Sequence, residues 1–465
     1  MTADAIHAAP HVTPAATVAL DDLQHVVGGS YAREAVADDA IDGVPPRFVA
    51  APGDIQQVSA LLRLASRADL AVAPRGGGTA LGLGNPPTRL DLILDTRRLD
   101  RVLEHAAGDL VVRVEAGATL AAVQRSVAAA GQTLALDPPE AAWGATIGGI
   151  IAADLSGPRR LRYGTVRDLL IGITVVLADG TVATSGGKVV KNVAGYDLGK
   201  LFARSLGTLG VVVEAIFRLH PLPAMSRTVV VDLEQPVAAG AAVQEMLQSP
   251  LVPSALEVQW SEGRSRLAAL FEGVAPGVEA QCARAVALLS RHGAHGTTRI
   301  VADDEAAHLW AALAARPWQA ERDQTDHDGT TNHGGTTNHG GGPGLKLTYP
   351  PAALPRILND VADLAARYGL APRLSAHAGT GVAYVSLSDA PRGDEVETYA
   401  TAVTKLRKQA VALGGSLVIV QGGAALKRTV DAWGAIGDAQ PLMARIKGQF
   451  DPGGVLNPGR FVGGL

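Results

Sequence analysis

Residues 143–168 read WGATIGGIIAADLSGPRRLRYGTVRD, and the interpretation of this stretch decides the fold. Two apolar runs around Asp179-Gly180 follow it, then SGGKVVKNVAGYDL (185–198) and SLGTLGVVVEAIFRL (205–219). Glycines recur here between β-branched runs rather than inside a polar linker. A glycine beside apolar residues marks a tight turn or a close approach of main chain to something else. A loop-rich β domain would account for any single one of them. Taken with the loop Pro74-Arg75-Gly76-Gly77-Gly78-Thr79, the set points to a large flat ligand lying against backbone.

That upstream loop follows a short apolar run, Leu70 to Ala73, that reads as a strand. A Rossmann phosphate loop also follows a strand, but it must open a helix. The next residues here, Ala-Leu-Gly-Leu-Gly-Asn-Pro-Pro, carry two glycines and two prolines and do not continue as one. Phosphate, if bound, is therefore bound by a nest of loop N–H groups. Arg75 either adds charge to such a nest or forms a structural salt bridge.

Further out, Asp54 caps a helix with apolar residues at Ile55, Val58, Leu61, Leu62 and Ala65. Residues 1–42 have weak periodicity and read as a loosely ordered tail with one short helix. Asp179-Gly180 between Ile171–Ala178 and Thr181–Thr184 is a hairpin signal. A short helix is expected from Asp197 to Leu206. His220-Pro221-Leu222-Pro223 closes a unit spanning 43–223.

Residues 224–465 repeat a strand–helix–strand–strand pattern twice. This is the signature of an α+β domain with helices on one face of an antiparallel sheet. The repeat is interrupted at 323–344, where TTNHGG occurs twice in tandem. The segment has almost no apolar residues and cannot offset its ordering entropy by burial. A disordered surface insertion is expected. His327, His333 and His339 lie six apart and invite a metal reading, but no metal site is assigned to them.

Composition narrows the function. With 465 residues the chain holds two or three domains, and 47% hydrophobic residues fill substantial cores. A net charge of −4 gives no footprint for nucleic acid. Cys282 is the sole cysteine, so the chain forms no internal disulfide and cannot ligate an iron–sulfur cluster. Any such relay would lie on another chain. No secretory signal is apparent and no apolar run reaches the roughly 18 residues of a membrane span. A cytoplasmic protein is expected, membrane-associated only through partners.

The pieces PRGGGT, ATIGGIIAADLSG, RYGTVRDL, ADGTV, GGKVVKNVAGYDL and GTLGVVVEAIFRLHPLP, in this order and spacing, resemble the FAD-linked oxidases of the vanillyl-alcohol oxidase/PCMH type. The resemblance covers residues 43–223. It implies a two-subdomain α+β FAD-binding fold followed by a cap. The closing stretch, QGGAALK (421–427), Trp433 and IKGQFDPGGVLNPGRF (446–461), looks most like the FAD-binding E-type subunit of glycolate oxidases. That implies two partners, a catalytic D-type flavoprotein and an iron–sulfur F-type subunit.

Carried over, the resemblance puts the FAD pyrophosphate on Arg75, Gly76, Gly77, Gly78 and Thr79. It puts other parts of the cofactor against Pro138, Thr146, Gly148, Gly149, Asp154, Ser156, Gly157, Gly164 and Val211. Some relatives attach FAD through a His in the first loop. This loop has none, which implies dissociable FAD. Catalytic relatives carry H-x-G-D-G-N-x-H in the cap, where this chain has His377-Ala-Gly-Thr380-Gly-Val-Ala-Tyr384. One His does not make a divalent metal site. Leu206 also stands where Glu is common. Both departures fit a flavin subunit that is not the primary oxidising one.

Three functions stay open. One is an FAD-binding subunit that takes part in oxidising glycolate to glyoxylate and passes electrons to a partner. Another is a stand-alone FAD-dependent 2-hydroxy-acid dehydrogenase of D-lactate type. The third is a structural subunit with a vestigial flavin site, against which the intact glycine loops argue. For chemistry the candidates are Arg373 and His377, as carboxylate clamp, and Lys191 and Tyr196, which with Asn192 and Asp197 either face the flavin or cap the next helix.

Overall fold

The computed structural model describes residues 18–188, 197–293, 297–318, 342–388 and 395–465. Three sheets of three or more strands organise them. The first is ordered Ala32–Glu34, Phe48–Ala50, Leu92–Asp95, Val72–Arg75, with its last three strands parallel. Helix Ile55–Arg67 crosses between two of these parallel strands. The Asp54 carboxylate accepts from Gln57 N at 2.7 Å as its N-cap, and Val58, Leu61, Leu62 and Ala65 face the sheet.

The second sheet is antiparallel, ordered Val102–Ala106, Val111–Glu115, Val211–Arg218, Leu170–Val176, Val182–Gly186. The Asp179-Gly180 turn joins its last two strands, with Gly180 at φ 82° and Thr181 N donating to Asp179 Oδ1 at 2.8 Å. The connection is wider than a two-residue turn, because Val176 and Val182 are the last paired residues.

The cap is one eight-stranded antiparallel sheet. Its order is Arg299–Val301, Met225–Leu233, Arg264–Gly273, Ala255–Ser261, Ala371–His377, Val382–Ser388, Gly344–Thr348, Ser416–Gln421. Helices Pro236–Gln248, Ala275–Leu289, Leu354–Tyr368 and Glu395–Ala412 fill the connections of two strand–helix–strand–strand–helix–strand units. Strand alternation fixes the sidedness. Leu256, Val258 and Trp260 enter the helix-side core with Leu345, Leu347, Leu374, Ala376, Ala383 and Val385. Glu257, Lys346, His377 and Tyr384 therefore fall on the opposite face.

Three expectations need correction. Residues 18–42 are not a loose tail. Helix Leu20–Val27 buries Leu23 and Val27 in the first core, and Ala32–Glu34 pairs with Phe48–Ala50. An eight-residue helix turns too few side chains inward to leave a periodic signal. Helix formation near Asp197 is confined to Gly199–Phe202, because Arg204 and Leu206 adopt left-handed backbone at φ 70° and 51°. Gly344, expected inside the insertion, opens a strand. The insertion's histidines lie outside the described residues, as do Lys191, Asn192 and Tyr196.

The chain does not end in the cap. Val455 O accepts from Val72 N at 2.7 Å and Asn457 N donates to Val72 O at 2.9 Å, so the last residues cover the outer edge of the first sheet. Buried Lys427 donates to Asp42 Oδ2 at 2.7 Å. Arg460 donates to Leu83 O at 2.7 Å.

Candidate functional site: a main-chain cradle facing a charged sheet

The two glycine-rich segments meet. A Cβ added at Gly76 would lie 2.1 Å from Thr146 Oγ1, and one at Gly77 would lie 2.2 Å from Gly144 O. Gly76 packs against the buried Thr146 side chain and Gly77 against main chain, so neither position admits a side chain without a shift. Gly78 sits at φ 75°. Among the described residues, the N–H groups of Gly77, Gly78, Thr79 and Ala80 donate to no protein acceptor. Each such amide, if kept from water, costs about 1–3 kcal/mol unless a ligand accepts from it. Four successive unpaired amides are the kind of donor set from which backbone anion nests are built.

Arg75, just before these amides, is held by carboxylates. Its guanidinium donates to Asp39 Oδ1 at 2.9 Å and Asp95 Oδ2 at 3.3 Å. Asp39 is buried. Its hydrogen bonds from Arg33, Val36 N and Arg75 outweigh the desolvation that opposes them and hold its carboxyl far below the usual range. Of the two roles expected for Arg75, its contacts show the structural salt bridge. The arginine fixes the base of the loop to the N-terminal segment.

The second segment is arranged by short-range needs. Thr146, buried, accepts from Gly149 N at 3.4 Å and caps helix Ile147–Ala153. Gly148 N donates to Ala116 O at 2.7 Å, and a Cβ there would lie 2.9 Å from Ala116 Cβ. At Gly157 a Cβ would meet Asp137 O at 1.9 Å. Gly164, at φ 81°, leaves room for the Asp168 carboxylate. These glycines bring protein loops together. The N–H groups of Ser156 and Gly157 remain without a protein acceptor among the described residues. Pro138 and Val211 are buried beside these segments.

Asp154 is buried in left-handed backbone at φ 50°. Its Oδ2 accepts from Arg204 Nε at 3.1 Å, while Oδ1 has no partner among the described residues. It opens onto a cavity of about 300 Å³ also walled by Thr165, Arg167, Asp168, Lys200, Ala203 and Arg204.

Facing residues 137–163, the side of the cap sheet opposite helices Pro236–Gln248 and Leu354–Tyr368, on which helix Asp303–Ala314 packs through Leu313, brings a second group of polar side chains. Glu257 and His377 are direct cross-strand partners, and His377 Nδ1 lies 2.8 Å from Glu257 Oε1. Burial pushes the Glu257 carboxyl well up and, with Arg316, Arg160 and Lys346 nearby, pushes the His377 imidazole well down. Glu257 Oε2 and His377 Nε2 are buried without partners among the described residues. The Tyr384 ring lies 5.5 Å from the His377 ring.

Arg316, buried, donates through Nε to Glu140 Oε1 at 2.9 Å and through Nη2 to Ser156 O at 3.3 Å. Its Cζ stands 3.7 Å from the Tyr384 ring centroid. Arg159 donates to buried Glu272 at 2.8 Å. Asp137, partly exposed, is pushed up to about 6 by desolvation against the pull of Arg159.

Of the expected catalytic side chains among the described residues, His377 is at this face's inner end; Lys191 and Tyr196 lie outside them. Arg373 is exposed, on the same strand and the same side but toward the other end. Sequence reasoning missed Arg316, Glu140 and Glu257. Only Glu257 left a signal, as a lone acid in the apolar run Ala255 to Trp260. Among the described residues no cluster of three metal-ligating side chains exists, and no helix is long and apolar enough to cross a membrane.

The residues present fit an extended dinucleotide, with unpaired amides of the kind a pyrophosphate needs and glycines where the two loops meet. Comparisons with known proteins agree. Residues 46–186 match the FAD binding domain model, and residues 222–461 match the C-terminal domain of FAD linked oxidases. Glycolate oxidase subunit GlcD of Bacillus subtilis is 30% identical over 422 residues, 90% of this chain and 89% of that one. D-lactate dehydrogenase of Archaeoglobus fulgidus is 32% identical over 424 residues, 89% of this chain and 91% of that one. Substrate-bound p-cresol methylhydroxylase shares the fold, with a TM-score of 0.70 at 16% identity and 95% coverage of both chains. The chain therefore belongs to the FAD-linked oxidases and is an FAD-dependent oxidoreductase.

Proposed function

We propose that the chain is the FAD-binding subunit of a glycolate oxidase-type complex and takes part in oxidising a small 2-hydroxy acid, glycolate to glyoxylate. The carrying observation is the run of unpaired amides at Gly77–Ala80 in a chain whose relatives are named for glycolate and D-lactate. FAD is held non-covalently, its pyrophosphate by those amides and other parts by Thr146, Gly149, Asp154, Ser156 and Gly157. Bound there, FAD supplies a two-electron acceptor for the hydride from the substrate's C2.

His377 takes the hydroxyl proton at Nε2. Its Nδ1–H then passes to the Glu257 carboxylate, whose raised proton affinity draws it. The one cysteine, Cys282, is buried and cannot hold an iron–sulfur cluster, so electrons leave through other chains, a D-type flavoprotein and an iron–sulfur F-type subunit. The complex would be cytoplasmic, with membrane contact only through partners.

A second reading, a stand-alone dehydrogenase, is supported by the full-length match to D-lactate dehydrogenase. The chain purified alone tests both. Visible flavin bands are expected, and a colourless folded protein that stays colourless with excess FAD overturns both. Dye reduction by glycolate or D-lactate without partners selects the second.

A further inference from the structure

Lys346 lies in the strand Gly344–Thr348, cross-strand from Tyr384 on one side and Val418 on the other. Its neighbours Leu345 and Leu347 enter the helix-side core, so its own side chain is on the face that carries Tyr384 and His377. It is half-buried. Among the described residues its ammonium meets no carboxylate, and its one contact is with the Tyr384 ring, centroid 6.0 Å away.

A cation withdrawn from water in this way is costly unless an anion meets it. Arg316, the other cation on the Tyr384 ring, has its charge committed to Glu140. Lys346 is left with charge to spare. It and the His377 imidazole both lie within about 6 Å of the Tyr384 ring, at 6.0 and 5.5 Å. A 2-hydroxy acid presents a carboxylate and a hydroxyl on adjacent carbons. It needs a cation for one and a proton acceptor for the other on the same face, and the Lys346 ammonium is near enough to act on the His377 imidazole.

We infer that Lys346 receives the substrate carboxylate and is the specificity-determining residue that selects a 2-hydroxy acid over a neutral alcohol. The inference rests on the proposed 2-hydroxy-acid oxidation. It goes beyond it by naming the anion anchor, on the strand Gly344–Thr348, where sequence reasoning chose Arg373 on the strand Ala371–His377.

The test uses the FAD-loaded full chain and oxalate, a non-oxidisable carboxylate, titrated while the flavin absorbance is followed. Oxalate is expected to perturb the flavin bands of the unmodified protein. Lys346→Met should weaken that binding by about tenfold or more, and Lys346→Arg should restore most of it, with flavin content and melting temperature unchanged in both. With glycolate as substrate, Lys346→Met should raise KM more than it lowers kcat. Equal oxalate affinity in Lys346→Met and the unmodified protein, or no oxalate binding to the latter, overturns the inference. Oxalate binding that depends on Lys346, in a protein that oxidises neither glycolate nor D-lactate, supports the anion site and sinks the proposed activity instead.

Discussion

Glu257 and His377 face each other across adjacent strands of the cap sheet, 2.8 Å apart and buried, each with its outer polar atom unpartnered. The pair can move a proton only through the ring, from Nε2 to Nδ1 and on to the carboxyl. Glu257→Gln keeps the shape and breaks that path. Its turnover with 2-hydroxy acid should fall by about 10²-fold at unchanged flavin content. Because the carboxyl's proton affinity is raised, the unmodified protein should lose activity as pH falls, and the variant should lose that limb of the profile. Steady-state rates across pH, beside the flavin spectrum, decide it. An unaltered profile would remove Glu257 from proton transfer.

Gly77 has a Cβ position 2.2 Å from Gly144 O, a main-chain atom that cannot swing aside. Gly77→Val should separate the two loops and abolish FAD retention. The ratio of flavin to protein absorbance after desalting measures it. Normal flavin content would show that the amides of Gly77–Ala80 do not hold the cofactor.

Arg316 and Glu140 join the cap to the first half through a buried ion pair. Removing one partner strands the other charge. Arg316→Met and Glu140→Gln should each cost about 3–5 kcal/mol, and the double variant much less than their sum. Urea unfolding of all four proteins gives the coupling. Additive losses would mean the pair is not formed in solution.

Asp137 has a carboxyl pushed up to about 6. A raised carboxyl binds its proton more tightly folded than unfolded. Its contribution to stability is full at low pH and is lost as pH rises from about 4 to about 6. Asp137→Asn has no such group. The stability difference between variant and unmodified protein should therefore shift toward the variant across that window, by at most about 3 kcal/mol at 1.36 kcal/mol per pH unit and less given the residue's partial exposure. Denaturant midpoints at the two ends measure it, and a constant difference contradicts the burial of the carboxyl.

Much of this architecture was readable before the fold was seen, and the limits have physical causes. The Asp54 cap, the Asp179-Gly180 turn and the doubled cap pattern are local signals, and each is where it was expected. The glycines were linked to close approach, and what approaches is protein: the Thr146 side chain at Gly76, main chain at Gly77 and Gly157. The amides left unpaired beside them gave no separate signal in the sequence. Arg373 and His377 were both candidates, and they share one side of their strand, but only His377 is at the buried end, which the sequence pattern does not reveal. Arg316 answers to Glu140, far away in sequence, and nothing local to either residue announces the pair.

The loop that cradles the cofactor hangs from the strand Val72–Arg75, whose free margin is sealed by Val455–Asn457. That margin is therefore closed by residues remote in sequence, and the strand beneath the loop gains its last main-chain partner only by this long-range pairing. Without it, the edge N–H and C=O groups of Val72 would stand open to water or to another strand.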